Sequence, residues 1–333
     1  MSREKTMADF KGATRTEGPS LIERAAEIYD FKTALRHGPA AAVAAPVVVP
    51  VAAAVTAPVA EAKPMAAAAV APAAVAAPAP IAPVARTAPN PDAEYHALDR
   101  AALREEGFVD PTGAPTSLSE EFRIVKRQLL GGVFAPDAAP RDRLVLVNSA
   151  HPGDGKTWLT INLALSLSAE QDSEVLLIDG DFGNPALARR LGLPDGPGFM
   201  DALADPSVDV ADLIVRTDVP NLSILRAGRQ LHNDTEILAS DRTRAVLDSL
   251  VAGHPRRIVL FDSPPALAAS AASELARHVG MVLLVVRADR TSDVALRDAV
   301  QLLSACPNIR AVLNGVKFSS SGRLFGAYYG KRS

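Results

Sequence analysis

An α/β fold, with a mostly parallel sheet covered by helices on both faces, is predicted for the latter two thirds of this 333-residue chain by three observations. Continuous apolar runs of strand length alternate with helical ones from Arg143 onward, which is how strands buried on both faces read. A glycine-bearing turn joins the first run to a helix. Aspartates close two of the later runs, at the strand ends where open parallel sheets bind ligands.

The chain before this domain is organised differently. Its opening, MSREKTMADFKGATRTEG, is charged and lacks the apolar core of a secretory signal, so the protein is expected to stay in the cytoplasm. Over residues 20–36, Leu21, Ala25, Ile28, Phe31 and Leu35 form one helical stripe. Ser20 and Glu23 supply a capping box, and Gly38-Pro39 supplies a stop. This helix has no core of its own. Either it docks on a partner, on the membrane surface or back on the globular domain, or it is a marginal helix without a binding role.

From 39 to 83 the chain is almost entirely Ala, Val and Pro, with nine prolines and no proline-free run above seven residues. A membrane-spanning helix needs about 20 consecutive apolar residues, so the stretch is read as an extended, semi-rigid spacer. The predicted division is therefore 1–38, a segment with one short helix; 39–93, an Ala/Pro-rich linker; and 94–333, the globular domain with its tail. The region before 94 is expected to be disordered.

Within the domain, residues 94–106 are read as a short helix and 110–115 as a Pro/Gly turn, followed by the helical SLSEEFRIVKRQLL. The strand-like runs are LVLVN, EVLLID at 174–179, NLSIL at 221–225, RIVLFD at 257–262, GMVLLVV at 280–286 and IRAVLN at 309–314.

The run LVLVNSAHPGDGKTWLTINLALSLS at 144–168 combines a β-type start, a glycine turn at 153–155, and Leu159, Leu163 and Leu167 at helical spacing. That context is what a P-loop requires, and it makes the domain a P-loop NTPase. Backbone N–H groups of residues 152–157 would converge on phosphates, Lys156 would reach the β and γ oxygens, and the Thr157 hydroxyl would ligate Mg²⁺. The helix start adds its positive dipole end. The candidate nucleotide-binding run is Pro152, Gly153, Asp154, Gly155, Lys156, Thr157 and the adjoining Trp158, whose indole is itself read as packing at the helix start. Ala150 replaces the first glycine of the usual pattern, which fits if φ there is below zero.

VLLIDGD ends in Asp179 and Asp181, and IVLFDSPP carries Asp262. At the carboxyl ends of parallel strands all three can face the triphosphate, one helping to hold the metal and another accepting a proton from an incoming hydroxyl. With Lys156 they are the candidate catalytic groups. Thr157, Asp181 and Asp262 are the candidate Mg²⁺ ligands.

Composition narrows the alternatives. The net charge of -3 gives no electrostatic support for a nucleic-acid partner. Cys306 is the single cysteine, so an intrachain disulfide is excluded, and it is read as a small buried residue.

These segments, with SLIERA near the start, SEEFRIVKRQLL, PNLSILRAGRQ, EILAS, AVLNGV and the terminal GAYYG, resemble the bacterial tyrosine autokinases. These are P-loop kinases that control polysaccharide export, and the likeness is to the branch associated with exosortase/PEP-CTERM exopolysaccharide loci. The resemblance implies an ATP- and Mg²⁺-dependent protein tyrosine kinase that regulates exopolysaccharide polymerisation or export. Asn314 would contact the adenine, and Tyr328 and Tyr329 would be the phosphoacceptors. Glu120, Arg123 and Lys126 match the family's Glu-x-x-Arg-x-x-Arg subunit contact, with lysine in place of the last arginine. A homo-oligomer is implied, together with a membrane chain-length or polysaccharide co-polymerase partner that would recruit the chain to the inner face of the cell membrane.

Other readings stay open on the residues themselves. The three charges can be a solvated helix face, and the two tyrosines can simply anchor the C-terminus. A partitioning or positioning ATPase shares the fold, but this chain has His151 where such loops carry a signature lysine. A nucleotide-binding scaffold with weakened catalysis is the third possibility, suggested by Lys126, the short tyrosine cluster and Asn184, which stands where relatives often carry arginine.

Overall fold

The computed structural model describes residues 94–316. The helix expected at 20–36, the 39–93 linker, and Tyr328 and Tyr329 lie outside the described residues.

The elements run β1 (Tyr95–His96), α1 (Arg100–Glu105), α2 (Ser117–Val133), β2 (Leu144–Ser149), α3 (Lys156–Ser168), β3 (Glu174–Asp179), α4 (Leu187–Arg190), α5 (Phe199–Ala204), β4 (Val215–Thr217), β5 (Leu222–Leu225), α6 (Asp234–Leu238), α7 (Asp241–Val251), β6 (Arg257–Asp262), α8 (Ala271–Ala276), β7 (Met281–Arg287), α9 (Asp293–Leu302) and β8 (Ile309–Asn314). The strands form one sheet in the order β1-β4-β5-β3-β6-β2-β7-β8. Every neighbouring pair is parallel except β4 against β5. All six expected strands are present. No helix among the described residues is long and apolar enough to cross a membrane.

Side chains alternate across the sheet, so β2 sends Leu144 and Leu146 into one core and Val145 and Val147 into the other. The first core is closed by Leu203 of α5, Leu238 of α6, Leu247 of α7, Leu275 of α8 and Ala299 of α9. The second is closed by Leu103 of α1, Phe122 and Leu129 of α2, and Ile161 and Leu163 of α3. Each fully buried Leu or Phe contributes about 1.5–3 kcal/mol by leaving water. α3 is buried all round from Leu159 to Ser168, because it lies between the sheet and α2. The Leu159, Leu163 and Leu167 stripe therefore understates how central this helix is. Cys306 is in the first core at 1% exposure, and burial pushes its thiol pKa up.

The reading of 94–106 as one helix is corrected. Tyr95 and His96 pair with Arg216 and Thr217 as an edge strand, and the helix begins only at Arg100. Asp99 caps it by accepting the Ala101 and Ala102 N–H groups at 2.9 and 3.0 Å. Arg100 Nη2 to Asp218 Oδ2, at 2.8 Å, ties the start of α1 beside β4. The edge strand depends on partners about 120 residues away, which local periodicity does not reveal.

Lys126 is also corrected. Steps of three residues on a helix turn by about 300°, so Glu120, Arg123 and Lys126 drift around α2 rather than sharing one line. Glu120 and Arg123 pair with each other at the surface. Lys126 is 5% exposed; its Nζ donates to the Ser166 carbonyl at 2.9 Å and meets Glu170 Oε1 at 2.9 Å. It fastens α2 to the end of α3 within one chain and is not available for a subunit contact. Lys126→Ala should lower stability by about 1–3 kcal/mol, since a buried carbonyl loses its donor while half-exposed Glu170 can rehydrate. Urea denaturation would show the lowered midpoint. An unchanged midpoint would contradict this role.

Candidate active site

The sheet order places β6 and β3 on one side of β2 and β7 and β8 on the other, all parallel, so their carboxyl ends meet at one edge. Residues 150–155 cross that edge from β2 to α3. Ala150 is 1% exposed and has φ below zero, so its small side chain serves where the usual pattern has glycine. Gly155 has φ of 99°, and a Cβ there would lie 2.2 Å from Asn314 Nδ2, so only glycine fits. Within the loop, His151 N–H donates to Asp154 Oδ2 at 3.0 Å, and Ser149 Oγ donates to the His151 carbonyl at 2.8 Å. The segment after β6 braces the loop from below: Asn148 Nδ2 donates to Ser263 Oγ at 2.8 Å and to the Pro264 carbonyl at 2.7 Å.

Lys156 opens α3 at 7% exposure. Burial lowers its pKa, opposed by the nearby Asp262, Asp181 and Asp154 charges. Next to it, Thr157 Oγ1 donates to Asp262 Oδ2 at 2.6 Å. Thr160, one turn along, reaches the other Asp262 oxygen at 3.4 Å. A hydroxyl and a carboxylate side by side are hard oxygen donors, the set Mg²⁺ takes when phosphates and water complete its shell. The residues present therefore fit Mg²⁺ with a nucleotide.

Asp179 and Asp262 are direct neighbours across β3 and β6. Burial, and then the Asp262 charge, push Asp179 up to about 7. Burial likewise pushes Asp262 up to about 6, held back by the Thr157 hydroxyl and by Lys156. Asp179 accepts the Asp181 N–H at 3.2 Å on one oxygen and the Leu187 N–H at 3.1 Å on the other. Both oxygens thus hold the 180–187 loop, which gives Asp179 a positioning role. Asp181, half-buried, accepts the Asn184 N–H at 3.3 Å; burial raises its pKa against the pull of Lys156. Gly180 separates the two aspartates because its N–H meets the Asp262 carbonyl at 2.7 Å, and a Cβ would lie 2.7 Å from that same oxygen.

Asn314, at the end of β8, donates from Nδ2 to the Asp154 carbonyl at 2.8 Å, which places it against the loop. Pro152 and Gly153 form the exposed outer lip. Trp158 as a nucleotide contact is corrected: its ring packs edge-to-face on Phe122 of α2 at 5.6 Å, half-buried against the second core. Sequence reasoning missed Thr160, whose signal is its i, i+3 spacing from Thr157. It also missed Arg290, whose Nη1 lies 3.5 Å from where a Cβ on Gly153 would stand.

Fold and loop together define a P-loop NTPase domain. More particularly, the curated relatives of this chain are bacterial tyrosine-protein kinases. It is 28% identical over 239 residues to tyrosine-protein kinase YwqD of Bacillus subtilis (strain 168), a match covering 70% of this chain and 95% of that protein. EpsB of Ralstonia solanacearum, a candidate tyrosine-protein kinase, is 31% identical over 192 residues, 57% of this chain and 25% of that one. The chain thus spans about a quarter of the length of that relative. Among solved structures, the BceF tyrosine kinase domain is 27% identical with a TM-score of 0.51, covering 60% of this chain and 77% of that domain. No family model matches the chain.

Proposed function

We propose that this protein is an ATP- and Mg²⁺-dependent tyrosine autokinase that phosphorylates its own tail and thereby regulates exopolysaccharide polymerisation or export. The observation that carries the nucleotide half of this reading is the 2.6 Å contact between Thr157 and Asp262 beside buried Lys156. The relatives favour a kinase over other P-loop ATPases, above all the match that spans 95% of YwqD. The exosortase-associated branch rests on sequence resemblance alone.

Phosphoryl transfer asks for positioning and charge stabilisation more than covalent chemistry. The N–H groups of the loop and the Lys156 ammonium hold the phosphates, and Thr157 and Asp262 hold Mg²⁺, which when bound neutralises charge on the transferring group. The phenol oxygen of Tyr328 or Tyr329 forms the new bond to the γ-phosphorus as the bond to the β–γ bridging oxygen breaks. Asp181, less encumbered by backbone donors than Asp179, takes the phenolic proton. Each phosphotyrosine adds about -1.5 to -2 charges to the tail, so modified tails repel one another and loosen a homo-oligomer. A membrane chain-length or co-polymerase protein is the proposed partner, bringing a cytoplasmic kinase to the inner face of the membrane.

Incubating the full chain with Mg²⁺ and ATP, with and without such a partner's cytoplasmic segment, and mapping phosphopeptides by mass spectrometry tests this. Phosphate is expected on Tyr328 or Tyr329, and the double change to Phe should remove most of it. Undiminished phosphotyrosine in that variant would reject the tail as acceptor. ATP hydrolysis with no phosphotyrosine would move the assignment to a positioning ATPase.

A further inference from the structure

Arg290 lies in the connection between β7 and α9, where no conserved motif of the nucleotide loop is expected, yet the structure holds it at the loop's lip. Its Nη1 is 3.5 Å from the Cβ position of Gly153. The connection is tethered there to Asp154 of the loop and to Asn314 of β8. Thr291 Oγ1 approaches Asp154 Oδ2 at 3.5 Å, and the Arg287 N–H donates to Thr291 Oγ1 at 2.9 Å. The Ala288 N–H donates to the Asn314 carbonyl at 3.0 Å, while Asn314 itself bonds the Asp154 carbonyl. Arg290 is exposed, and among the described residues it forms no ion pair; the neighbouring Arg287 is the one that pairs with Asp289, at 3.1 Å.

Charge gives this placement a meaning. Among the described residues, Lys156 faces Asp154, Asp181 and Asp262 inside the site. The carboxylates of β3 and β6 line one flank of the loop, whereas on the β7 flank Asp289 pairs with Arg287. A polyphosphate laid along the loop would meet Lys156 near these acids on one side and the exposed Arg290 guanidinium at the lip on the other. Guanidinium–phosphate contacts are charge-assisted and frequently bidentate.

We propose that Arg290 is a second phosphate-binding side chain of this site, gripping the nucleotide's phosphates from the β7 flank opposite the acidic residues. This rests on the nucleotide-binding reading above and adds a residue to it.

The test is equilibrium binding of a non-hydrolysable ATP analogue with Mg²⁺ to the full chain, comparing wild type, Arg290→Ala and Arg290→Lys, with Lys156→Met as reference. Arg290→Ala is expected to raise Kd about tenfold. Arg290→Lys should recover only part of that, with a Kd between wild type and Arg290→Ala, because charge is kept while the fork is lost. Thermal unfolding without nucleotide should be unchanged, as the side chain is exposed. A Kd for Arg290→Ala within twofold of wild type overturns the proposal. A folded wild type that binds no analogue overturns the nucleotide reading and this inference with it; binding lost in Lys156→Met but kept in Arg290→Ala overturns this inference alone.

Discussion

Lys156→Met is expected to weaken Mg²⁺·ATP binding by about two to three orders of magnitude and to abolish phosphotyrosine, while the domain stays folded. The loss follows from position: the ammonium is the cation buried at the head of α3, where the loop's amides and the helix dipole converge. Removing one charge-assisted donor from a water-poor site costs about 3–4 kcal/mol of anion stabilisation. The fold survives because Met keeps the aliphatic stem and no desolvated ammonium has to be accommodated. What changes is the fate of the acids. Without Lys156, Asp262 and Asp181 lose the charge that favours their ionised forms, so their pKa values rise further. The variant should therefore lose stability more steeply than wild type as pH rises from 6 to 8. Binding of a fluorescent ATP analogue, with denaturation at both pH values, measures both effects. Wild-type nucleotide affinity in this variant would mean that the loop is not the phosphate site.

The features legible in the sequence share one property: their signal is local. β2, β3, β6 and β7 each read as an apolar run because both faces of the sheet are covered there, and an aspartate after such a run is placed at the ligand edge by the strand itself. The glycine turn and the lysine-threonine pair likewise lie within a few residues of one another. Features that depend on tertiary partners were not legible. Tyr95–His96 becomes a strand only because Arg216 and Thr217 offer an edge. Lys126 looks like a surface charge until α3 presents the Ser166 carbonyl. Arg290 is one arginine among many until the Thr291–Asp154 and Asn314–Asp154 contacts carry its loop to Gly153. Asp179 falls between the two: its location was readable, but its use of both oxygens on backbone N–H groups was not.

Asp262→Asn separates the stability of this site from its chemistry. In the folded protein Asp262 is pushed up to about 6 from its ordinary 3.8, chiefly by burial, with Asp179 beside it pushed up to about 7. Between pH 4 and 7 the folded state thus binds more protons than the unfolded chain, and stability falls as pH rises through that window. The stabilisation is fully present below the ordinary carboxylate pKa and is gone above about 7. A shift of about two units corresponds to about 3 kcal/mol. Asn is nearly isosteric, and its carbonyl can still accept from Thr157 while its amide meets Thr160, whose hydroxyl is free to accept. The ligand-free variant should be about 1–3 kcal/mol more stable than wild type at pH 8 and close to it at pH 4. The slope that remains should be smaller than in wild type and belongs to Asp179, which burial and Asp181 still hold up after the Asp262 charge is gone. The same change removes the anionic oxygen that would hold Mg²⁺, so autophosphorylation should fall at least about 100-fold. Denaturation midpoints from pH 4 to 8, set beside phosphotyrosine yield, decide the matter. A wild-type pH slope retained in the variant would show that Asp262 is not the strained carboxylate, and near-normal phosphotyrosine would show that it does not serve the transfer.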